Sequence, residues 1–304
     1  MANRHWTVWA KAIGMAIAAV LLIRMFLVTS CIIPSSGMEN SLYQGEGILV
    51  NKWSYGLRMP FPSVFGYHRL MPRPVRQGDI VLFNNPNPKR PETGIERREL
   101  FISRCIGAAG DTLMLNHEWI NVGGKVESPD SKALYAYPSA AEDLMLAVLD
   151  TVGIEGNSLA GYTPEGHYIR SFSHYEFYLV SQKAAGRICI APLSEKTPQK
   201  VHPFVVPRKG IAVKVYPWNA TLLCNAILSH EHRQAEVRND TLWVEGKAVP
   251  AYTFTQDYYW MAANDPVNLC DSRLFGFVPE SHIIGKAWKI WLTPHRGRFF
   301  QTVE

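Results

Sequence analysis

An apolar run close to the N-terminus constrains the fold of this chain more than any other sequence feature. Residues 12–23 are all apolar or small, Arg24 interrupts the run, and residues 25–28 resume it. A helix that spans a bilayer needs about 20 mostly apolar residues, so we predict a single membrane-spanning helix from which the Arg24 side chain reaches toward an interface. Arg4 and Lys11 precede the run. The positive-inside rule then puts the N-terminus in the cytoplasm and the main domain on the outer, periplasmic side of the cytoplasmic membrane.

Two other uses of this segment stay open. A cleaved signal peptide would carry a small-residue site after the run, and no Ala-x-Ala follows it. Residues 28–31 (VTSC) resemble a lipobox, which would make Cys31 a lipidated N-terminus and the chain a tethered envelope binding protein. Because Arg24 breaks the apolar region that a lipoprotein signal requires, we favour the spanning helix.

Composition excludes several functional classes. The 304 residues carry a net charge of +5 without a Lys/Arg tract, which argues against nucleic acid as a partner. The five cysteines form no C-x-x-C pair and the ten histidines no H-x-x-x-H pair, so we predict neither a metal site nor a cofactor.

Short segments rich in β-branched and aromatic residues, mostly bounded by turn residues, predict strands. They are residues 47–55, 79–83, 101–107, 112–115, 211–215, 241–244 and 283–292. Residues 139–152 predict a helix with a capping box of Ser139 and Glu142, and residues 219–229 predict a helix capped by Asn219. We therefore predict a mainly antiparallel β protein with an N-terminal transmembrane helix and a mixed α/β insertion.

The predicted organisation has four parts. Residues 1–30 form a cytoplasmic stub and membrane anchor, residues 31–116 the first part of a β core, residues 117–240 an inserted second subdomain, and residues 241–304 the second part of the core.

Several motifs outside the insertion resemble type I signal peptidases. Residues 34–46 (PSSGMENSLYQGE) resemble the family signature Pro-Ser-x-Ser-Met-x-Pro-Thr-Leu-x-x-Gly-Asp. Residues 76–83 (RQGDIVLF) and 101–111 (FISRCIGAAGD) resemble the next two signatures, and residues 252–260 and 270–287 the C-terminal ones. Their order along the chain is that of the family.

This resemblance implies a fold and a mechanism. The family has a β-rich domain on the outer membrane face and removes signal peptides from exported proteins after small residues. A serine is the nucleophile, a buried lysine is its general base, and a second serine hydroxyl with a backbone N–H forms the oxyanion hole. On this chain Ser35 matches the oxyanion-hole serine, and Met38 and Arg104 match neighbours of the dyad.

Both dyad positions are substituted. The nucleophile position is Gly37, which has no side chain, and the general-base position is Ser103, whose hydroxyl is far too weak a base near neutral pH. In the last acidic motif the position of a lysine-orienting serine is Leu269 and that of a glycine in the lysine pocket is Ala263. Asn40 replaces a proline of the first signature.

The structural part of the last acidic motif is retained, since Asp271, Ser272 and Arg273 match the family's Asp-Ser-Arg. Loss is concentrated on the groups that do the chemistry, which is the pattern of a degenerate enzyme.

Ser36 is the substitute nucleophile that remains, although on an extended segment its side chain would face away from that of residue 37. Ser35, with no oxyanion to bind, is expected to cap a turn. Five aromatic residues that follow the first core strand are predicted to lie at a membrane interface or to pack in the core: Trp53, Tyr55, Phe61, Phe65 and Tyr67.

Three functions follow from these observations. The first is a protein that binds signal peptides by strand addition without cleaving them, with membrane lipid and an intact signal peptidase paralogue as further partners. The second is an active serine endopeptidase that uses Ser36. The third is the lipidated binding protein anchored at Cys31.

Overall fold

The computed structural model describes residues 2–115, 120–122, 125–126, 131–193, 202–267 and 270–303. Helix α1 (Ala2–Phe26) contains a stretch, Val8–Phe26, that is long and apolar enough to cross a membrane, as judged by length and composition. The helix continues through Arg24, which lies in its last turn, where a positive charge is favoured by the helix dipole. The predicted N-terminal apolar helix is therefore present, and its orientation stays a prediction.

The main sheet is antiparallel. Within the described residues its strands are β1 (Val28–Ile32), β2 (Gly47–Asn51), β5 (Ile80–Asn84), β6 (Leu100–Gly107), β20 (Tyr258–Ala262), β21 (Val278–Pro279) and β22 (Ile283–Leu292). These seven strands follow one another across the sheet in the order β1-β2-β22-β5-β6-β20-β21. This confirms the prediction of a mainly antiparallel β protein.

Both faces of the main sheet are covered by apolar side chains, as its central strand shows. Every residue of β5 is buried. Ile80 and Leu82 belong to one core cluster, while Val81 and Phe83 belong to another. Because side chains alternate between the two faces of a strand, a continuous apolar run of this kind is expected in a strand that is buried on both sides.

A second sheet is formed by residues that come after β6 and before β20 in the chain. Its strands are β11 (Gly161–Tyr162), β12 (His167–Ser173), β10 (Lys132–Pro138) and β13 (Ala191–Pro192), in that order across the sheet. Helices α3 (Glu142–Val152) and α4 (His174–Ala184) share an apolar cluster with β10 and β12, which includes Tyr137, Val148, Phe172 and Val180.

Smaller sheets and helices complete the fold. They are β3 (Leu57–Arg58) with β4 (Arg69–Leu70), β7 (Thr112–Leu115) with β8 (Ile120–Val122), β9 (Lys125–Val126) and β14 (Pro203–Val205), β15 (Ala212–Lys214) with β19 (Ala251–Thr253), and β16 (Ala235–Arg238) with β17 (Thr241–Val244) and β18 (Lys247–Ala248). The remaining helices are α2 (Pro62–Phe65), α5 (Ala220–His230) and α6 (Ser272–Phe275), together with short 3-10 turns. The four-part division of the chain stays a prediction.

Both predicted helices are present at about the predicted positions, but neither has the predicted side-chain cap. Residues Ser139–Ala141 form a 3-10 turn, and α3 begins only at Glu142 with no side-chain cap, so the predicted capping box is wrong. The Glu142 carboxylate instead accepts hydrogen bonds from Tyr137 Oη and Arg170 Nη2. A capping box does open α4, between Ser173 and Glu176, at a helix that the sequence patterns did not predict.

Candidate functional site

The candidate site is built around a tight turn that follows β1. Ser36–Met38 form one turn of 3-10 helix, in which Gly37 and Met38 are buried and Ser36 is half-buried. Ser35 precedes it in an extended conformation, with φ −145° and ψ 170°, and its side chain makes no capping hydrogen bond. Ser35 therefore occupies the N-cap position of the turn, as expected, but its side chain does not cap the turn. The premise that Ser36 lies on an extended segment does not hold either, because its backbone belongs to the 3-10 turn.

The turn continues in a conformation that the family's proline could not adopt. Asn40 has a φ of +74°, in the left-handed region, where asparagine is tolerated. A proline ring locks φ near −65°. The substitution at residue 40 therefore goes with a backbone path that a proline could not follow, three residues after the nucleophile position.

Strand β6 brings the general-base position to this turn. The 36–38 turn contacts β6, and Ser103 lies on that strand opposite Val81 of β5. The Ser103 side chain is fully buried, and its Oγ donates a hydrogen bond to the carbonyl oxygen of Cys270 at 3.3 Å. The structure thus brings together the elements that carry Gly37 and Ser103, and the hydroxyl of Ser103 is directed at a backbone acceptor.

A polar network holds the far side of the turn. The Oγ atom of Ser41 accepts hydrogen bonds from Arg104 Nη2 and Asn264 Nδ2, both at 2.8 Å. Asn264 Nδ2 also donates to the carbonyl oxygen of Glu39 at 3.0 Å. The backbone N–H of Asp265 donates to the carbonyl oxygen of Gly37 at 3.0 Å. These bonds fix the turn to the segment that follows β20.

The Asp-Ser-Arg segment forms a second, buried network. Asp271 is fully buried and pairs with Arg273, whose Nη2 lies 2.5 Å from Asp271 Oδ2. Asp271 Oδ2 also accepts a hydrogen bond from the backbone N–H of Ala263 at 2.8 Å, and Ser272 Oγ accepts one from the N–H of Met261. Ala263 is buried beside this network. Leu269 lies outside the described residues.

A buried lysine near the turn escaped the sequence patterns. Lys132 begins β10, and its backbone N–H donates to the carbonyl oxygen of Asn264. Its Nζ lies 2.6 Å from Glu39 Oε2 and 3.7 Å from Glu176 Oε1. Burial alone would lower the pKa of Lys132, but the two carboxylates outweigh burial and raise that pKa. No local sequence signal links Lys132 to Glu39, because the two residues are far apart in the chain.

The charge state of Lys132 decides what it can do. A lysine acts as a general base only when its amine is neutral, which requires a lowered pKa. Lys132 has the opposite environment, so it is a structural cation that ties β10 to the turn and does not replace the lysine missing at Ser103.

The sheet leaves a backbone edge open next to the turn. Strand β6 pairs with β5 along Leu100–Arg104, whereas its pairing with β20 begins only at Arg104. Among the described strands, none pairs with the second edge of β6 from Leu100 to Ile102. Strand β1, which leads into the turn, is likewise paired on one side only, with β2. Two edges with which no described strand pairs therefore adjoin the turn, and an extended peptide could add to either of them.

The fold and this site define a mainly β protein in which a buried turn lies beside open sheet edges. The family model described as "Signal peptidase, peptidase S26" matches residues 6–174, more than half of the chain. The chain belongs to the signal peptidase family S26.

Curated relatives agree with this assignment. The chain is 24% identical to signal peptidase I of Buchnera aphidicola (subspecies Schizaphis graminum) over 279 residues, which cover 90% of this chain and 71% of the relative. It is 23% identical to signal peptidase I of Helicobacter pylori strain J99 over 282 residues, covering 91% and 79%. The match to signal peptidase I of Haemophilus influenzae is 22% over 295 residues, covering 91% and 67%.

Proposed function

We propose that this chain binds the signal peptides of exported proteins at the membrane surface and does not cleave them. The observation that carries the proposal is the environment of the two dyad positions. Gly37 offers no nucleophile, and the buried Ser103 hydroxyl donates to the Cys270 carbonyl oxygen instead of accepting a proton from a neighbour. A hydroxyl cannot act as general base near neutral pH.

Peptide binding is supported by the parts of the site that remain. The open edge of β6 and the one-sided pairing of β1 adjoin the turn that carries Gly37. An extended peptide added to such an edge gains main-chain hydrogen bonds, and pockets between alternate side chains supply its specificity. The networks of Asp271 and Asn264 hold the backbone on both sides of this place.

Catalysis by Ser36 is the alternative. The 3-10 turn removes the objection that Ser36 must face away from residue 37, since successive side chains on such a turn are about 120° apart. A serine nucleophile still needs a base to take its proton. The buried lysine next to the turn, Lys132, is held as a cation by Glu39 and Glu176, which argues against this alternative.

Lipidation at Cys31 is the weaker alternative. Cys31 lies inside β1, where it is opposite Ile48, and the three residues before it pair with Leu49, Val50 and Asn51. A mature N-terminus at Cys31 would remove that half of the strand.

The proposed location follows from the sequence. We infer a single-pass protein of the cytoplasmic membrane, with its N-terminus in the cytoplasm and its β domain on the outer side. An intact signal peptidase paralogue is a partner consistent with a protein that presents signal peptides without cutting them.

A cleavage assay tests the proposal. The full chain in detergent micelles is incubated with a preprotein that carries a small-x-small site, and the products are analysed by mass spectrometry. We expect no cleavage at that site. Specific cleavage that is abolished by Ser36→Ala would overturn the proposal and establish the Ser36 mechanism.

A double substitution tests whether the two dyad positions alone account for the loss of peptidase activity. The variant Gly37→Ser with Ser103→Lys restores both residue types of the dyad. We expect partial activity at most, since the Ala263 methyl group occupies the place of a glycine in the lysine pocket. Full activity would show that only the dyad had changed.

A further inference from the structure

A cavity of about 270 Å³ lies where α1 meets the β domain. Met25 of the last helical turn, Phe61 and Leu100 form apolar parts of its wall, and Lys52, Arg58 and Glu96 contribute the charged groups. Leu100 is also the first residue of the β6 edge with which no described strand pairs. The other five belong neither to that edge nor to the networks around Gly37 and Ser103. The cavity therefore needs an explanation of its own.

The guanidinium group of Arg58 is incompletely bonded in this cavity. Its Nη1 donates to Asn84 Oδ1 at 3.0 Å. Its Nε and Nη2 are buried and have no hydrogen-bond partner within the described residues. These two atoms form one edge of the planar fork that binds carboxylate or phosphate in a bidentate manner. Because buried polar groups are almost always bonded, this edge needs an acceptor that the described residues do not supply.

The charges around the cavity select an anion. Lys52 Nζ donates to the carbonyl oxygens of Arg24 and Met25 at 3.0 and 3.1 Å, which keeps its positive charge at the end of α1. Glu96 is the carboxylate of the lining, and its Oε2 accepts a hydrogen bond from Ser63 at 2.6 Å. Two cations against one carboxylate leave a net positive cavity.

The pKa values respond to the same crowding of cations. Burial, with the nearby Arg69, lowers the pKa of Arg58 to about 10. Burial, with Arg58 and Arg24, also lowers the pKa of Lys52. A bound anion would relieve this repulsion.

The position of the cavity indicates a lipid rather than a soluble anion. Met25 lies next to Phe26, where the candidate membrane span Val8–Phe26 ends, so the cavity lies at headgroup level when the helix spans a bilayer. Exposed apolar side chains lie on the segment between β3 and β4 and directly after β4. Phe61 is 51% exposed, Phe65 67% and Met71 74%. Exposed apolar side chains of this density mark a membrane contact or another interface.

We propose that this cavity binds the phosphate group of an anionic phospholipid. The guanidinium group of Arg58 donates to phosphate oxygens, Lys52 supplies a second positive charge, and the acyl chains run along α1 beside Phe61. This lipid would fix the angle between the membrane helix and the β domain, and so the height of the peptide edge above the bilayer.

Native mass spectrometry of the full chain in a neutral detergent tests the site. The chain is titrated with phosphatidylglycerol, with phosphatidylcholine and with glycerol 3-phosphate. We expect one phosphatidylglycerol per chain with a preference over phosphatidylcholine, and about tenfold weaker binding in Arg58→Gln, because hydrogen bonds to charged groups are among the strong ones. Arg58→Lys, which keeps the charge but not the fork, should weaken binding less.

The control is Arg238→Gln, which removes the same charge from an exposed arginine on β16. Equal loss of lipid in this variant and in Arg58→Gln would reduce the effect to net charge and overturn the proposal. Equally strong binding of glycerol 3-phosphate would overturn the lipid assignment and make the cavity a site for soluble anions. The unfolding temperature of each variant shows whether it still folds. A further variant, Phe61→Ser, leaves the charges intact and should weaken the binding of phosphatidylglycerol but not the binding of glycerol 3-phosphate.

Discussion

Two parts of the candidate site have diverged to different extents. At the dyad positions, Gly37 and Ser103, the groups that would perform acyl transfer are absent, and the Ser103 hydroxyl is used in a single bond to a backbone carbonyl. A short distance away, the Asp271 network has a buried ion pair and bonds to the backbone of Ala263 and Arg273. The first part is where the family's catalytic groups lie, and the second part holds the backbone of the site in place.

This difference indicates which function the retained Asp271 network can still support. Burying a charged group costs free energy, which its partners must offset. Removing one of those partners strongly destabilises the fold. The presence of this network beside an open sheet edge is expected if the edge still has to be held in place for a ligand. The comparison therefore favours a protein that retains the binding surface of its family.

The largest effect is expected from Asp271→Asn. The substitution removes the carboxylate that pairs with Arg273 and accepts from Ala263 N, so the free energy of unfolding should fall by about 3 kcal/mol. Chemical denaturation of the full chain in micelles measures it. The matched control is Glu236→Gln, which breaks the exposed pair of Arg238 and Glu236 and should cost less than about 1 kcal/mol. Similar losses of unfolding free energy in the two variants would mean that the buried Asp271 network stabilises the fold no more than an exposed ion pair does.

An intermediate effect is expected at Glu46, which replaces the aspartate of the first family signature. Its buried carboxylate accepts hydrogen bonds from Tyr43 N, Thr293 Oγ1 and Arg298 Nε at 2.7–3.0 Å. Glu46→Gln should lower the free energy of unfolding by about 2 kcal/mol at neutral pH, since charge-assisted bonds are lost.

The effect of Glu46→Gln should depend on pH. Burial alone would raise the pKa of Glu46, but the bonds from Arg298, Tyr43 and Thr293 outweigh burial and lower it. A lowered pKa in the folded state means that the stabilisation is present above the ordinary value of 4.5 and is lost as the pH falls through the folded-state pKa. The difference between the wild type and the variant should therefore shrink below pH 4.5, and a difference that grows in acid would contradict this account of Glu46.

The smallest effect is expected from Ser103→Ala. The hydroxyl makes a hydrogen bond of 3.3 Å to Cys270, so its loss should change the free energy of unfolding by about 1 kcal/mol or less. Signal-peptide binding should be unchanged. If Ser103→Ala impaired binding as strongly as Asp271→Asn, Ser103 would belong to the functional surface, and the contrast between the two parts of the site would fail.

Much of the fold could be predicted from the sequence, because alternation and turn residues report strands directly. The run of residues 283–292 matches β22 in full, and most of the apolar run that begins at residue 12 lies in the predicted helix. Strand β1 (Val28–Ile32) was not predicted, because the helix ends at Phe26 within that apolar run. The capping of α3 could not be predicted, since Glu142 pairs with Arg170, a tertiary partner that offers a charge where the capping box offers only a backbone N–H.

The site was only partly predictable for the same reason. The motifs located the Gly37 turn and the Asp271 segment, because both are local in sequence. They could not reveal that Lys132 is buried between Glu39 and Glu176, or that Asn40 turns the backbone into the left-handed region. Those features depend on contacts between distant segments and on backbone geometry, which no single-sequence pattern encodes.

The most direct test of the account measures binding and cleavage in the same sample. A fluorescent signal peptide with a small-x-small site is titrated with the full chain in micelles, its anisotropy is followed, and the recovered peptide is weighed by mass spectrometry. We predict saturable binding, weakened by Asp271→Asn, with the peptide recovered intact. Recovery of a peptide cut at the small-x-small site, with the cut absent in Ser36→Ala, would contradict the account.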